Sequence, residues 1–313
     1  MKFKLDFSVD KNGIELSHKD SIVSLGSCFA DEMGARLISS GFKLNSNPFG
    51  TLFHPLAIMN TLNDTLSDKK EVNILKRSDL YFSWEASGKL FGTSNNELED
   101  RILATRSKLK QNIKAADLLI LTLGTAWGYR HKDLNLVVGN CHKEPLTSFS
   151  KELSSIDLMV KECQATIEKV RALNPAIKIL VTVSPVRHKK DGLIENNRSK
   201  ARLLELTHRL VEESGCIYFP SYEIVIDELR DYRFFKNDLV HPSEEAVNYV
   251  WKQFQETSIK KSTIEIIAAY QKITRALAHR SLFPNSEEDH SRIQKNEEKK
   301  RAFISKYPEV NWD

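Results

Sequence analysis

The feature that most limits the fold of this chain is a set of short apolar runs without polar alternation, separated by amphipathic stretches. Leu118-Leu119-Ile120-Leu121 is the plainest of them. Successive side chains of a strand point to opposite faces, so a strand that is apolar throughout is covered on both. Residues 21–27, 116–124, 178–184 and 216–220 read as such strands, and 41–45 as one more. Residues 29–40, 153–173 and 197–213 read as helices between them. Alternation of this kind predicts an α/β fold, a three-layer α/β/α sandwich around a central parallel sheet.

In such sheets ligands gather at the carboxyl ends of the strands. Those positions here read Gly26-Ser27-Cys28, Gly124-Thr125-Ala126-Trp127 and Ser184-Pro185-Val186-Arg187-His188. A last helix is expected over 243–254, started by Pro242 and Ser243. The 313 residues suffice for one large domain with an appendage, here read as a catalytic unit over 1–257 and an accessory charged helical tail over 258–313. Residues 64–95, with Tyr81-Phe82-Ser83-Trp84, read as an insertion carrying a short aromatic strand or hairpin.

Several function classes fall away. The 46 basic and 42 acidic residues nearly cancel, which argues against a nucleic-acid partner. Residues 1–10 alternate charge with apolar residues and lack the long apolar run of a signal peptide or membrane anchor, so a cytoplasmic protein without a membrane partner is expected. Cys28, Cys141, Cys163 and Cys216 form no CxxC pair, and Cys141, His142 and His188 are scattered without ligand spacing. Neither a disulfide framework nor a metal site is expected. No phosphate loop or dinucleotide fingerprint is present, and no cofactor is implied.

Two segments can carry chemistry. At 24–30 an apolar strand runs through Gly26 into Ser27 and Cys28 at a helix start, where free N–H groups and the helix dipole can stabilise a thiolate or receive an oxyanion. A buried, inert Cys28 beside a capping Ser27 fits the same residues. At 238–242, Asp238 precedes His241 by three residues, close enough to fix one tautomer and leave the other ring nitrogen to take a proton. A structural histidine at a helix entry is the bland alternative. Arg187 and His188 lie where a substrate carboxylate or phosphate could be held, although a structural ion pair serves as well.

Gly26-Ser27-Cys28-Phe29-Ala30 spells the motif of the GSCFA family, and the chain resembles that family over about 15–257. Asn140-Cys141-His142, Ser184-Pro185-Val186-Arg187-His188 and Asp231-Tyr232-Arg233-Phe234 also resemble its motifs. The family is similar to a divergent branch of the SGNH/GDSL hydrolases, which carry a G-D-S block near the N-terminus and a D-x-x-H block near the C-terminus. The resemblance implies Cys28 as nucleophile, with Ser27 as its competitor, His241 as base and Asp238 as its orienter. It places Gly50 as a backbone oxyanion donor. The G-x-N-D block expected after the middle strand reads Gly124-Thr125-Ala126-Trp127, so its asparagine is missing; Thr125, Trp127 or Asn140 could replace it. The implied activity is hydrolysis or transfer of an acyl ester of a small molecule or carbohydrate. The alternative is a ligand-binding module that has lost turnover.

Overall fold

The computed structural model describes residues 7–282, 284 and 286–312. Strand β1 (Ser21–Gly26) leads into α1 (Cys28–Ile38), which returns to β2 (Lys43–Ser46). Helix α2 (Pro55–Leu66) precedes a small antiparallel sheet of β3 (Ile74–Arg77), β4 (Leu80–Ser83) and β5 (Phe91–Gly92). After α3 (Asn95–Ala115) and β6 (Leu118–Leu123), a second such sheet is made by β7 (Trp127–His131), β8 (Leu136–Val137) and β9 (Phe149–Leu153). Then come α4 (Ile156–Leu173), β10 (Lys178–Val183), α5 (Leu193–Ser214), β11 (Ile217–Tyr218) and the short α6 (Ser221–Glu223), which runs on into a π-helical turn, Ile224–Leu229. The chain ends with α7 (Glu244–Ser258), α8 (Lys261–Ala278) and α9 (Glu287–Lys306).

The central sheet is parallel, in the order β11-β10-β6-β1-β2. Its strands are apolar throughout because alternate residues enter two different cores. Val23, Leu25, Leu119, Leu121, Ile179 and Val181 pack with residues of α2, α3, α4 and α5 on one face. Ile22, Leu118, Ile120 and Leu180 pack with Phe29, Leu37, Val247 and Phe254 of α1 and α7 on the other. The α/β/α sandwich read from the sequence is therefore the observed fold. From β1 the chain steps outward to β2 and then back across to β6, so the order reverses between β1 and β6. That crevice is where an open sheet of this topology binds its ligand.

Some elements differ from expectation. The helix expected from 153 starts at Ile156, because Leu153 ends β9 and Ser155 caps α4 by accepting from the Leu158 N–H. The segment 64–95, expected to carry a short aromatic strand or hairpin, holds the three-stranded sheet β3–β5, and the sheet β7–β9 had no counterpart in the sequence reading. The two small sheets meet through Trp84, Val138 and Phe149, with the Gly139 N–H donating to the Trp84 carbonyl. Beyond α7, the charged α9 folds back along α8 around Tyr270, Phe303 and Val310. The Asn311 N–H then donates to the carbonyl of Gly41, beside β2.

Candidate active site

Gly26 ends β1 pressed against β6. Its φ is 144°, and a Cβ there would stand 2.1 Å from the Thr122 carbonyl oxygen. Only glycine permits that approach. The backbone is then pinned from three sides: the Gly26 N–H donates to Asn47 Oδ1, its carbonyl accepts from the Leu52 N–H, and the Ser27 N–H donates to the Thr122 carbonyl. Ser27 is 1% exposed, and its hydroxyl caps α1 by accepting from the Phe29 N–H at 3.3 Å. The next residue, Cys28, is half-buried and lines a cavity at the strand ends. The motif thus divides its labour: Gly26 allows the turn, Ser27 starts the helix and Cys28 faces the cavity.

Burial pushes the Cys28 thiol above its ordinary range, and Asp31 and Glu32 push the same way. Its own backbone N–H and the Lys200 ammonium pull it back. The helix start therefore does not make a free thiolate at neutral pH, and a base is needed to remove the proton.

Such a base shares the cavity. His241 Nδ1 lies 2.7 Å from Asp238 Oδ2, while Asp238 Oδ1 accepts from the N–H groups of Val240 and His241 at 2.8 and 3.0 Å. These three bonds hold the Asp238 carboxyl well below the usual carboxylate range, first the His241 backbone N–H, then its ring, then the Val240 N–H. With Nδ1–H committed to an ionised carboxylate, Nε2 is the nitrogen left to accept a proton. The turn closes by donation from the Lys236 N–H to the His241 carbonyl and from the Leu239 N–H to the Lys236 carbonyl, with Leu239 left-handed at φ 58°. Ser243 then caps α7.

The cavity measures about 650 Å³, within the range of small-ligand sites. Its wall includes Cys28, Asp238, His241, Thr125, Trp127, Arg187 and His188, so most of the residues picked out in sequence meet there. The Thr125 hydroxyl is bonded to Ser199 Oγ at 3.0 Å and accepts from the Trp127 N–H; the Trp127 indole N–H is spent on the Glu195 carbonyl. His188 is driven down to about 4, by burial and then by Lys200, and is neutral at pH 7. Gly50 and Asn140 do not line the cavity. The Gly50 N–H closes a turn onto the Asn47 carbonyl at 2.7 Å and its α-carbon abuts Ser87, so the oxyanion role expected of it has no free donor. Exposed Asn140 accepts from the His142 N–H. Cys28, Asp238 and His241 also line a second, more open depression together with Asp31, Glu32 and Lys236.

Compared with known protein families, residues 21–254 match the GSCFA family. The chain belongs to the GSCFA family. No curated protein matches it in sequence. Solved structures similar to this GSCFA protein include a peptidoglycan O-acetylesterase, at 15% identity and a TM-score of 0.34, covering 52% of this chain but only 42% of the other, less than half its length. Others are a protein described as a GDSL-like lipase from Parabacteroides merdae, at 11% identity over 79% and 98% of the two chains with a TM-score of 0.44, and a carbohydrate esterase of family 3 from Talaromyces cellulolyticus, at 9% over 80% and 98% with 0.35. Likenesses this slight decide nothing about the chemistry of the GSCFA chain.

One residue of the site was not singled out in sequence. Lys200 of α5 is 1% exposed, and its ammonium donates to the carbonyls of Gly124 and Ser184, each at 2.6 Å. It ties together the chain ends leaving β6 and β10. Burial brings its pKa down to about 7, and a thiolate at Cys28 would raise it again. A signal for it exists: Asn196, Ser199, Lys200, Leu203, Leu206, Thr207 and Leu210 form the buried face of α5 at helical spacing, so the lysine sits within an inward stripe. Among the described residues no group of three or more His, Cys, Asp or Glu could hold a metal, and no helix is long and apolar enough to cross a membrane.

Proposed function

We propose that the protein is an acyl-ester hydrolase or acyltransferase working through a thioester on Cys28. Cys28 Sγ attacks the ester carbonyl while His241 Nε2 takes the thiol proton, and Asp238 holds the ring and stabilises the imidazolium. The tetrahedral intermediate collapses as His241 returns that proton to the departing alcohol, leaving an acyl group on sulfur. Water or a second alcohol, deprotonated by His241, then attacks the thioester and frees Cys28. The Cys28 N–H at the start of α1 and the neutral His188 ring are the donors assigned to the oxyanion. The more open depression gives the second nucleophile its own approach. The observation that carries the reading is the convergence of Cys28 with the Asp238–His241 pair on one cavity at the β1/β6 crevice. The substrate class proposed is an O-acylated carbohydrate or small alcohol.

A second reading, a binding module without turnover, is favoured by one observation: the segment after β6 reads Gly124-Thr125-Ala126-Trp127, without the asparagine donor, and its Thr125 hydroxyl and Trp127 indole N–H are already bonded within the protein. Intact-protein mass spectrometry after brief exposure to p-nitrophenyl acetate separates the two. One acetyl group on Cys28, absent in Cys28→Ala and slowed in His241→Ala, is the expected result. An unlabelled thiol in folded wild-type protein replaces the enzyme with the binding module.

A further inference from the structure

The loop after β10 places Arg187, Lys189 and Lys190 on the wall of the same cavity. The two carboxylates that line the cavity are already engaged. Asp191 pairs with Lys151 at 2.5 Å, and Asp238 pairs with His241. The Arg187 guanidinium lies 3.9 Å from the centre of the Phe235 ring and 5.2 Å from that of Tyr232, and it donates one hydrogen bond, to the Leu239 carbonyl at 3.1 Å. No carboxylate of the described residues pairs with it. A guanidinium laid against aromatic rings loses hydration from its faces, while its in-plane N–H groups still seek a planar or tetrahedral anion.

Two further observations bear on what that anion belongs to. Over the whole chain 46 basic residues face 42 acidic ones, so three cations on a four-residue stretch of one cavity wall, none of them paired with a carboxylate among the described residues, stand out from the background. The cavity is also far larger than an acetyl group, so most of its 650 Å³ is left for the rest of the ester. Trp127 and Tyr129 line the same wall and supply flat faces for it.

We propose that the cavity selects acyl esters whose alcohol portion carries a carboxylate or phosphate, with Arg187 as the residue that holds the anion and Lys189 and Lys190 as its electrostatic guide. This rests on the acyl-enzyme reading of Cys28. The structure asks of Arg187 a contact in the bound complex and no part in the proton transfers, so its signature is in KM rather than kcat.

The test uses three aryl acetates of similar size: 4-acetoxybenzoate, 4-acetoxyphenyl phosphate and the neutral 4-acetoxybenzamide. Because intrinsic reactivities differ, the quantity read is how each kcat/KM changes from wild type to variant. Arg187→Met is expected to lower kcat/KM for the anionic esters about 10- to 100-fold more than for the neutral one, as the loss of a charged hydrogen-bonding partner implies. Arg187→Lys is expected to retain part of the preference, and added salt to erode it. The carboxylate and phosphate arms then rank the two anion types. An equal effect of Arg187→Met on all three esters overturns the proposal and makes Arg187 a structural residue of the loop.

Binding of 4-acetoxybenzoate to Cys28→Ala protein, followed by ligand-observed NMR, keeps the two levels apart. Binding that needs Arg187, in a protein whose wild type releases no acetate, preserves the anion site and sinks the hydrolase. Acetate release from all three esters that Arg187→Met lowers equally does the reverse.

Discussion

The nucleophile and its base are held by opposite means. Cys28 stands at the end of a central strand whose backbone is bonded to β6 and to the 47–52 segment, and the residue before it is 1% exposed. The Asp238 and His241 side chains are 47% and 41% exposed and sit on a turn that is largely closed by its own bonds. The first position is fixed by the fold as a whole, the second by a few residues in sequence. A change at the base end should therefore reach chemistry with little effect on stability, whereas a change at the strand end should reach both.

Asp238→Asn probes the base end. The amide keeps the shape but can hold His241 in the wrong tautomer, so acyl transfer should fall about 1,000-fold or more while the urea midpoint barely moves. Gly26→Ala probes the strand end, where the new methyl would meet the Thr122 carbonyl at 2.1 Å and the backbone must keep φ near 144°. Its expected cost is roughly 3–5 kcal/mol, with acylation lost in step with folding. Equal stability losses in the two variants would erase the contrast.

The contrast also accounts for what was legible. The parallel sheet was readable because its strands are buried on both faces, and the DxxH turn because its partners are neighbours in sequence. The sheet β7–β9 escaped because its strands, Trp127-Gly128-Tyr129-Arg130-His131 among them, mix polar and aromatic residues and pair only with one another. Gly50 misled because the family resemblance aligns it with a glycine block that supplies an oxyanion N–H, whereas only the fold shows that N–H spent on the Asn47 carbonyl. Lys200 was not picked out, since its two acceptors come from loops that follow different strands. Lys200→Met should strand those carbonyls, costing about 1–3 kcal/mol, and should slow iodoacetamide labelling of Cys28 by removing the cation that lowers its pKa.

Acid should weaken the inner end before the outer one. Buried His54 accepts from the Leu56 N–H through Nδ1 and donates from Nε2 to the Ala126 carbonyl, so it must be neutral; its pKa is about 4, lowered mainly by burial, as is that of His188. Well above pH 6.5 both rings are neutral whether the chain is folded or not, and they contribute no pH dependence. Between 6.5 and 4 the unfolded chain binds a proton on each of these rings that the folded one does not, so stability should fall with the pH by up to about 1.4 kcal/mol per unit for each, and their share should level off below 4; His18 and His142, also lowered by burial, add to the slope in the same direction. Urea midpoints measured across that range should show the slope, with His188→Gln removing its share. A flat profile in wild type would mean that the two rings are not buried as described.

The smallest effect separates the two hydroxyl- or thiol-bearing neighbours in the motif. If Ser27 serves only to start α1, Ser27→Ala removes one capping bond, that to the Phe29 N–H, at a cost of about 1 kcal/mol, and Cys28 should still take up an acetyl group at nearly the wild-type rate. Because the Ser27 N–H donation to the Thr122 carbonyl is made by the backbone, alanine keeps it, and the strand end should not shift. Loss of acetylation with only that small loss of stability would move the nucleophile from Cys28 to Ser27. It would also mean that the Ser27 hydroxyl must leave its bond to the Phe29 N–H to react, and that the strand end is less rigid than its backbone bonds imply.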